Sequence, residues 1–284
     1  MPPEEPERLY PLICEIVVWL IVGTGVTIAL VLAALPQLKK RGGGALPAVG
    51  MLQGRPFTFV HAVPVLALTG LLVLLDVLQV SGGGEAQVTP SLLIVGMIGN
   101  ATMDILVITL CLWMVQRGPR AVFGTGLCTR KTAIGKGLLY GLAAIPVVWL
   151  IAGVVHAIGS AFDCDMPPQE IFAWLNDPSF SATARAALIG IVVVIAPITE
   201  ELLFRGILLP VLMKGRSFAV AAVLSSFYFA LVHLNGSSFV PLMCLSVMFS
   251  AGYAATGSIL TPIVMHTVFN ATVLLAFYAS PVVP

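Results

Sequence analysis

The sequence predicts an all-α, polytopic membrane bundle of about eight transmembrane helices, and three observations carry that prediction. First, hydrophobic residues make up 58% of the 284-residue chain and charged residues 10%, against about 45–50% and about 25% in water-soluble domains. With a mean hydropathy of +1.03, there is too little polar surface to coat a soluble body. Second, eight apolar stretches approach the roughly 20 residues that a helix needs to cross about 30 Å of hydrocarbon. Third, basic residues fall in alternate connections between those stretches.

In chain order the stretches are Leu12–Leu35, Phe59–Val80, Ser91–Val115, Lys136–Ala161, Arg185–Met213, Phe218–Leu234, Phe239–Thr256 and Ile259–Ala279. None shows the alternating pattern of a membrane barrel, so helices are expected. The first follows the acidic, proline-rich segment Met1–Arg8 and is too long for a signal peptide core, so it reads as a retained span. Lys39, Lys40, Arg41 and Arg55 lie between spans one and two. Arg117, Arg120, Arg130, Lys131 and Lys136 lie between three and four, and Lys214 and Arg216 between five and six. Those are eleven of fourteen basic residues, while the opposite loops carry Glu85, Asp163, Asp165, Glu170 and Asp177. The positive-inside rule then puts the amino terminus outside and predicts a multi-pass protein of the plasma (inner) membrane.

Gly42–Gly44 and Gly82–Gly84 read as linkers and Met166-Pro167-Pro168 as an irregular outer loop. No sequence repeat divides the chain. One integral membrane domain, 1–284, is expected, with its chemistry in a helical core over 185–280. A net charge of +1 offers no field for nucleic acid. Cys14, Cys111, Cys128, Cys164 and Cys244 are scattered, which indicates neither a disulfide scaffold nor a zinc ribbon.

An ionisable group at bilayer depth costs at least about 2.5–3.5 kcal/mol, so each one needs a reason. Glu15 and Asp76 lie near outer helix ends, where snorkelling accounts for them, and His61 and His156 lie near edges, where a structural hydrogen bond suffices. Asn100 and Asp104 stack one turn apart near the middle of span three. They fit either a wet cavity or interhelical hydrogen bonding.

The later clusters differ in kind. Span five contains Thr199-Glu200-Glu201-Leu-Leu-Phe-Arg205, span six Phe229-Ala-Leu-Val-His233, and span eight His266-Thr-Val-Phe-Asn270. Glu201 and Arg205, four apart with the acid first, suit an ion pair along the helix. Successive positions differ by about 100°, so Glu200 should face away from Glu201 and remain free as a base. His266 and Asn270 share one face of another helix, and His233 adds a second imidazole. No serine or cysteine is evidently activated. Amide hydrolysis needs a polarised water and donors aimed at developing oxygen charge, and this inventory supplies both.

Ala196-Pro-Ile-Thr-Glu-Glu-Leu-Leu-Phe-Arg-Gly206, then Phe229/His233, then His266/Asn270, resemble the CAAX protease and bacteriocin-processing family. These are intramembrane endopeptidases related to the type II prenyl-protein peptidases. The resemblance runs from about Ala187 to Tyr278. It implies that Glu200 is the general base acting with His233 on water, that His266 and Asn270 serve the oxyanion, and that Glu201 and Arg205 support them. It also implies a membrane-embedded or membrane-anchored peptide or protein substrate, without saying whether that substrate is prenylated.

The leading expectation is a cofactor-free glutamate mechanism. The alternative is zinc held by Glu200, His233 and His266, although the HExxH spacing is missing. A secondary transporter or a non-catalytic scaffold would bury similar groups. Paired broken helices are not evident, however, and every motif position holds the reactive residue type. One conflict stands: straight centred helices put Glu200 and Asn270 near the midplane and His233 about 10 Å nearer the outside. A tilt of span six, or an early end of span five at Gly206 or before Pro210, would remove it.

Overall fold

A computed structural model describes residues 46–81, 89–124, 127–164 and 169–279, and among them no strand occurs. Leu12–Leu35 with Glu15, the run Lys39 to Arg41, both glycine linkers, Glu85 and Met166–Pro168 lie outside the described residues, as does the side chain of Asp76. The helices are α1 (Val49–Gln53), α2 (Phe59–Ser81), α3 (Pro90–Val115), α4 (Pro119–Phe123), α5 (Arg130–Ala161) and α6 (Glu170–Asn176). Then come α7 (Ala182–Leu212), α8 (Phe218–Leu231), α9 (Gly236–Thr256) and α10 (Leu260–Ala279). Five of these, α3, α5, α7, α9 and α10, are long and apolar enough to cross a membrane. Phe59–Leu75 within α2, and α8, are shorter apolar helices. The described residues are therefore all-helical, with five candidate membrane spans.

The elements start where the sequence offers caps. Thr89, Thr129, Ser181, Ser217 and Asn235 each accept a backbone N–H of the helix that follows with a side-chain oxygen. α9 runs through the centre, with Phe249 and Tyr253 fully buried. α10 lies directly on α5, and small residues make that possible. A Cβ added at Gly137 would stand 2.7 Å from Val264 Cβ and 2.9 Å from Thr261 O, and one at Gly141 would stand 3.1 Å from Met265 Cα. Gly137 and Gly141 are thus a Gly-x-x-x-Gly contact that lets two backbones approach. This contact sets the position of the helix that carries His266 and Asn270.

α8 has 14 residues, about 21 Å of helix, which is short of a full crossing. It ends at Leu231, before the expected Leu234. The chain then turns through Leu234, whose φ is +47°, into the Asn235 cap. His233 therefore lies in a turn inside the bundle and not on a straight spanning helix.

α7 does not end at Gly206 or before Pro210 either. Instead it widens twice into π turns, at Ile191–Ile195 and Leu202–Leu208. Each closes with an i→i−5 bond, Ala196 N–H to Ile191 O and Leu209 N–H to Phe204 O. The next residue is a proline in both cases, Pro197 and Pro210. Proline brings no N–H and crowds the preceding turn. The helix accommodates both with a wider turn, and Glu200 and Glu201 sit between the two.

Candidate active site

Glu201 is the hub. Its Oε1 accepts Arg205 Nη1 at 2.8 Å and His266 Nδ1 at 3.0 Å, and the Glu201 and Arg205 side chains are wholly buried. Arg205 Nη2 donates to the backbone oxygen of Ser246 at 3.1 Å and also to the Ser246 hydroxyl. The guanidinium lies 4.7 Å from the Phe229 ring centre and 5.2 Å from that of Phe249. Two aromatic faces, a carboxylate and a helix carbonyl thus surround the buried cation. Ser246 and Phe249 come from α9, Phe229 from α8 and His266 from α10, so one ion pair ties four helices together.

The hub also fixes the imidazole of His266. A carboxylate paired with arginine only accepts, so Nδ1 carries the hydrogen and Nε2 is directed away from Glu201. Nε2 stands 4.0 Å from Oε2 of Glu200. That separation is too long for a direct hydrogen bond and short enough for one water to bridge. Phe249 stacks on the His266 ring at 4.9 Å and holds its plane. About a quarter of the Glu200 side chain is exposed, against none of Glu201.

The expectation that the two glutamates face different points needs correction. Both reach the same imidazole, one on each ring nitrogen. Neighbouring helical positions do diverge, but His266 sits between them and presents its two nitrogens on different edges.

His233 is placed differently. Its Nδ1 pairs with Phe229 O at 2.7 Å, and its ring lies 4.6 Å from the Phe229 ring. Phe229 in turn meets His266 edge to face at 6.0 Å. The aromatic ring of Phe229 thus touches both histidines, and it is His266 that meets Glu200. The Asn270 amide donates to Val192 O at 2.9 Å. Val192 O is the carbonyl that an i→i−5 partner at position 197 would satisfy, and Pro197 has no N–H to give. Asn270 therefore fills the bond that the proline leaves open, and its Nδ2 keeps a second N–H.

Several contributors escaped the sequence reading. Ser246 lies in no motif. Phe249 is one more phenylalanine in an apolar helix. Gly137 and Gly141 did carry a readable signal, the four-residue glycine spacing. Of the pair on span three, Asn100 is exposed, whereas Asp104 is half-buried against α7, where its carboxyl meets the Thr199 hydroxyl. His61 uses Nδ1 on Thr58, and His156 is exposed.

As for metal, among the described residues no three His, Cys, Asp or Glu side chains stand together as a ligand set. Glu200 and His266 face each other, while His266 and His233 engage their Nδ1 atoms with Glu201 and Phe229 O.

Comparison with known proteins agrees with the motifs. Residues 182–272 match the family model described as type II CAAX prenyl endopeptidase Rce1-like. A Bacillus subtilis (strain 168) protein named "Putative membrane peptidase YdiL" is 26% identical over 149 residues. That alignment covers 51% of this chain and 59% of the relative, so the chain matches little more than half of the relative's length. No solved structure matches the chain. Glu200, Glu201, Arg205, His233, His266 and Asn270 all fall inside the matched range.

Proposed function

We propose that this Rce1-like membrane protein is an intramembrane endopeptidase that hydrolyses a peptide bond of a membrane-associated protein or peptide with water activated by Glu200. One observation carries the reading: buried Glu201, neutralised by Arg205, holds His266 so that its free nitrogen faces the partly exposed Glu200 at 4.0 Å.

In this mechanism a water lies between Glu200 Oε2 and His266 Nε2. Glu200 takes its proton as the water oxygen bonds to the carbonyl carbon. The second N–H of Asn270 is the donor for the oxygen that becomes negative. Glu201 and Arg205 do not touch substrate. They keep the His266 hydrogen on Nδ1 and keep the ring aimed, as a buried carboxylate does for a histidine in hydrolytic sites generally. His233 packs on Phe229, whose ring also meets His266. The basic loops lie on the cytoplasmic side of the plasma membrane, which places the amino terminus outside.

The test is hydrolysis of internally quenched peptides, prenylated and unprenylated, by detergent-purified wild type and Glu200→Ala. Cleavage that depends on Glu200 supports the reading. A folded wild type that cleaves neither class, even in lipid bilayers, overturns it.

A further inference from the structure

The charges of the chain are sorted as unevenly as its apolar runs. The connections that hold Lys39 to Arg55, Arg117 to Lys136, and Lys214 with Arg216 carry eleven basic residues and no Asp or Glu. Among the described residues the ion pairs lie at Arg205 and His266, and none involves Lys214 or Arg216. Nothing on these connections neutralises that face. An anionic leaflet is the countercharge that a membrane offers.

At Lys214 and Arg216 that face opens into a groove. A cleft of about 310 Å³ runs between α2, the end of α7 and α8. Its walls include Phe59 and Leu66 from α2, Leu208 from α7, and Leu224 and Tyr228 from α8. Phe59 and the two cations lie at the mouth, and Leu66, Leu208 and Tyr228 lie at the deep end. Lys214 Nζ donates to Gln53 O at 2.6 Å and to Arg55 O at 2.9 Å, which fixes the mouth and leaves the ammonium a further N–H. At the deep end the Tyr228 hydroxyl bonds to the Thr69 hydroxyl and ties α8 to α2. From Phe218 to Tyr228 α8 rises about 15 Å, the depth of one leaflet in a hydrocarbon core of roughly 30 Å.

We propose that this groove is a binding site for an anionic phospholipid, with one acyl chain between α2 and α8 and the phosphate at Lys214 and Arg216. Both parts are needed. Apolar walls alone would take any lipid, and basic residues alone would attract any anionic surface. Lys214 spends two of its donors on backbone oxygens, so Arg216, exposed at the mouth, is the main cation for the headgroup. The site does not rest on the peptidase reading. Its wall reaches the candidate active site all the same, because Tyr228 packs on Phe204 at 6.1 Å and Phe204 meets Phe229 edge to face at 5.1 Å.

Brominated lipids test the site on the full chain in bilayers. Leu224→Trp and Leu66→Trp each put a fluorophore on one wall of the groove, read against the wild type's own tryptophans. In phosphatidylcholine vesicles, a minor share of chain-brominated phosphatidylglycerol should quench either probe several-fold more than the same share of brominated phosphatidylcholine. Arg216→Ala should reduce that preference about fivefold. Arg117→Ala, a basic residue outside the groove, should leave it unchanged. Equal quenching by the two lipids overturns the proposal. So does a preference that Arg216→Ala leaves intact, or one that Arg117→Ala lowers as much, which is general surface attraction. Equal quenching that a farnesylated peptide relieves assigns the groove to a substrate and also overturns it. A probe that neither lipid quenches does the same, since a segment of this chain such as Leu12–Leu35 then covers the groove. Probes on two different helices keep the test decisive if one variant fails to fold.

Discussion

Glu201 accepts His266 Nδ1 at 3.0 Å on the same oxygen, Oε1, that takes Arg205 Nη1 at 2.8 Å. One atom thus binds the cation that neutralises it and the imidazole that it aims. Loss of Glu201 would release both. In the proposed mechanism the second glutamate of the pair therefore matters as much as the first, although its side chain is wholly buried.

Glu200→Gln should abolish peptidase activity, by at least about 10²-fold, and leave the fold intact. Gln keeps the size of the side chain and removes its basicity. Because Glu200 makes no direct bond to His266 at 4.0 Å, little packing is lost. Activity on a quenched peptide and a thermal melt in detergent check both halves. Turnover within tenfold of wild type would end the general-base assignment.

Arg205→Ala should lower abundance as well as activity. It leaves Glu201 buried and unpaired, and breaking such a pair typically costs about 3–5 kcal/mol. Glu201→Gln combined with Arg205→Met should recover much of the expression. Activity should stay low in that double variant, because His266 loses the carboxylate that fixes its tautomer. A double variant as poorly folded as Arg205→Ala would mean that the guanidinium is held chiefly by Ser246 and the two phenylalanines.

Asn270→Ala should reduce turnover about 10²–10³-fold with KM little changed, as expected for a donor to charge that forms in the transition state. It should also lower the melting temperature, because Val192 O loses its partner at a cost of about 1–3 kcal/mol. Steady-state kinetics beside a thermal melt separate the two effects. A lower melting temperature with normal turnover would leave Asn270 as a support of the π turn alone.

Gly137→Ala should destabilise the protein by about 1–3 kcal/mol and reduce activity, because the new Cβ would meet Val264 Cβ at 2.7 Å and Thr261 O at 2.9 Å. Adding Val264→Ala should recover only part of the loss, since the backbone oxygen stays in place. Gly135→Ala, where nothing lies within 4 Å, is the matched control. Equal melting temperatures for both single variants would remove the close α5–α10 contact as a determinant of the site.

The sequence by itself determined the solvent, the helical class and the cast of residues. Those follow from composition, from the length of apolar runs and from the cost of charge in lipid, all of which act locally. The Glu201–Arg205 pair was legible for the same reason, since a four-residue spacing on a helix is a distance. What only the tertiary structure decided is which histidine meets which glutamate. The family resemblance set His233 beside Glu200, and helical periodicity sent Glu200 away from Glu201. In the fold, α8 stops at Leu231, two π turns before prolines alter the pitch of α7, and glycines 137 and 141 let α10 approach until His266 lies between both carboxylates. Periodicity fixes the face of a residue on its own helix. Contact between helices depends on where each one ends, widens or comes close to its neighbour, and those events arise from packing many residues away.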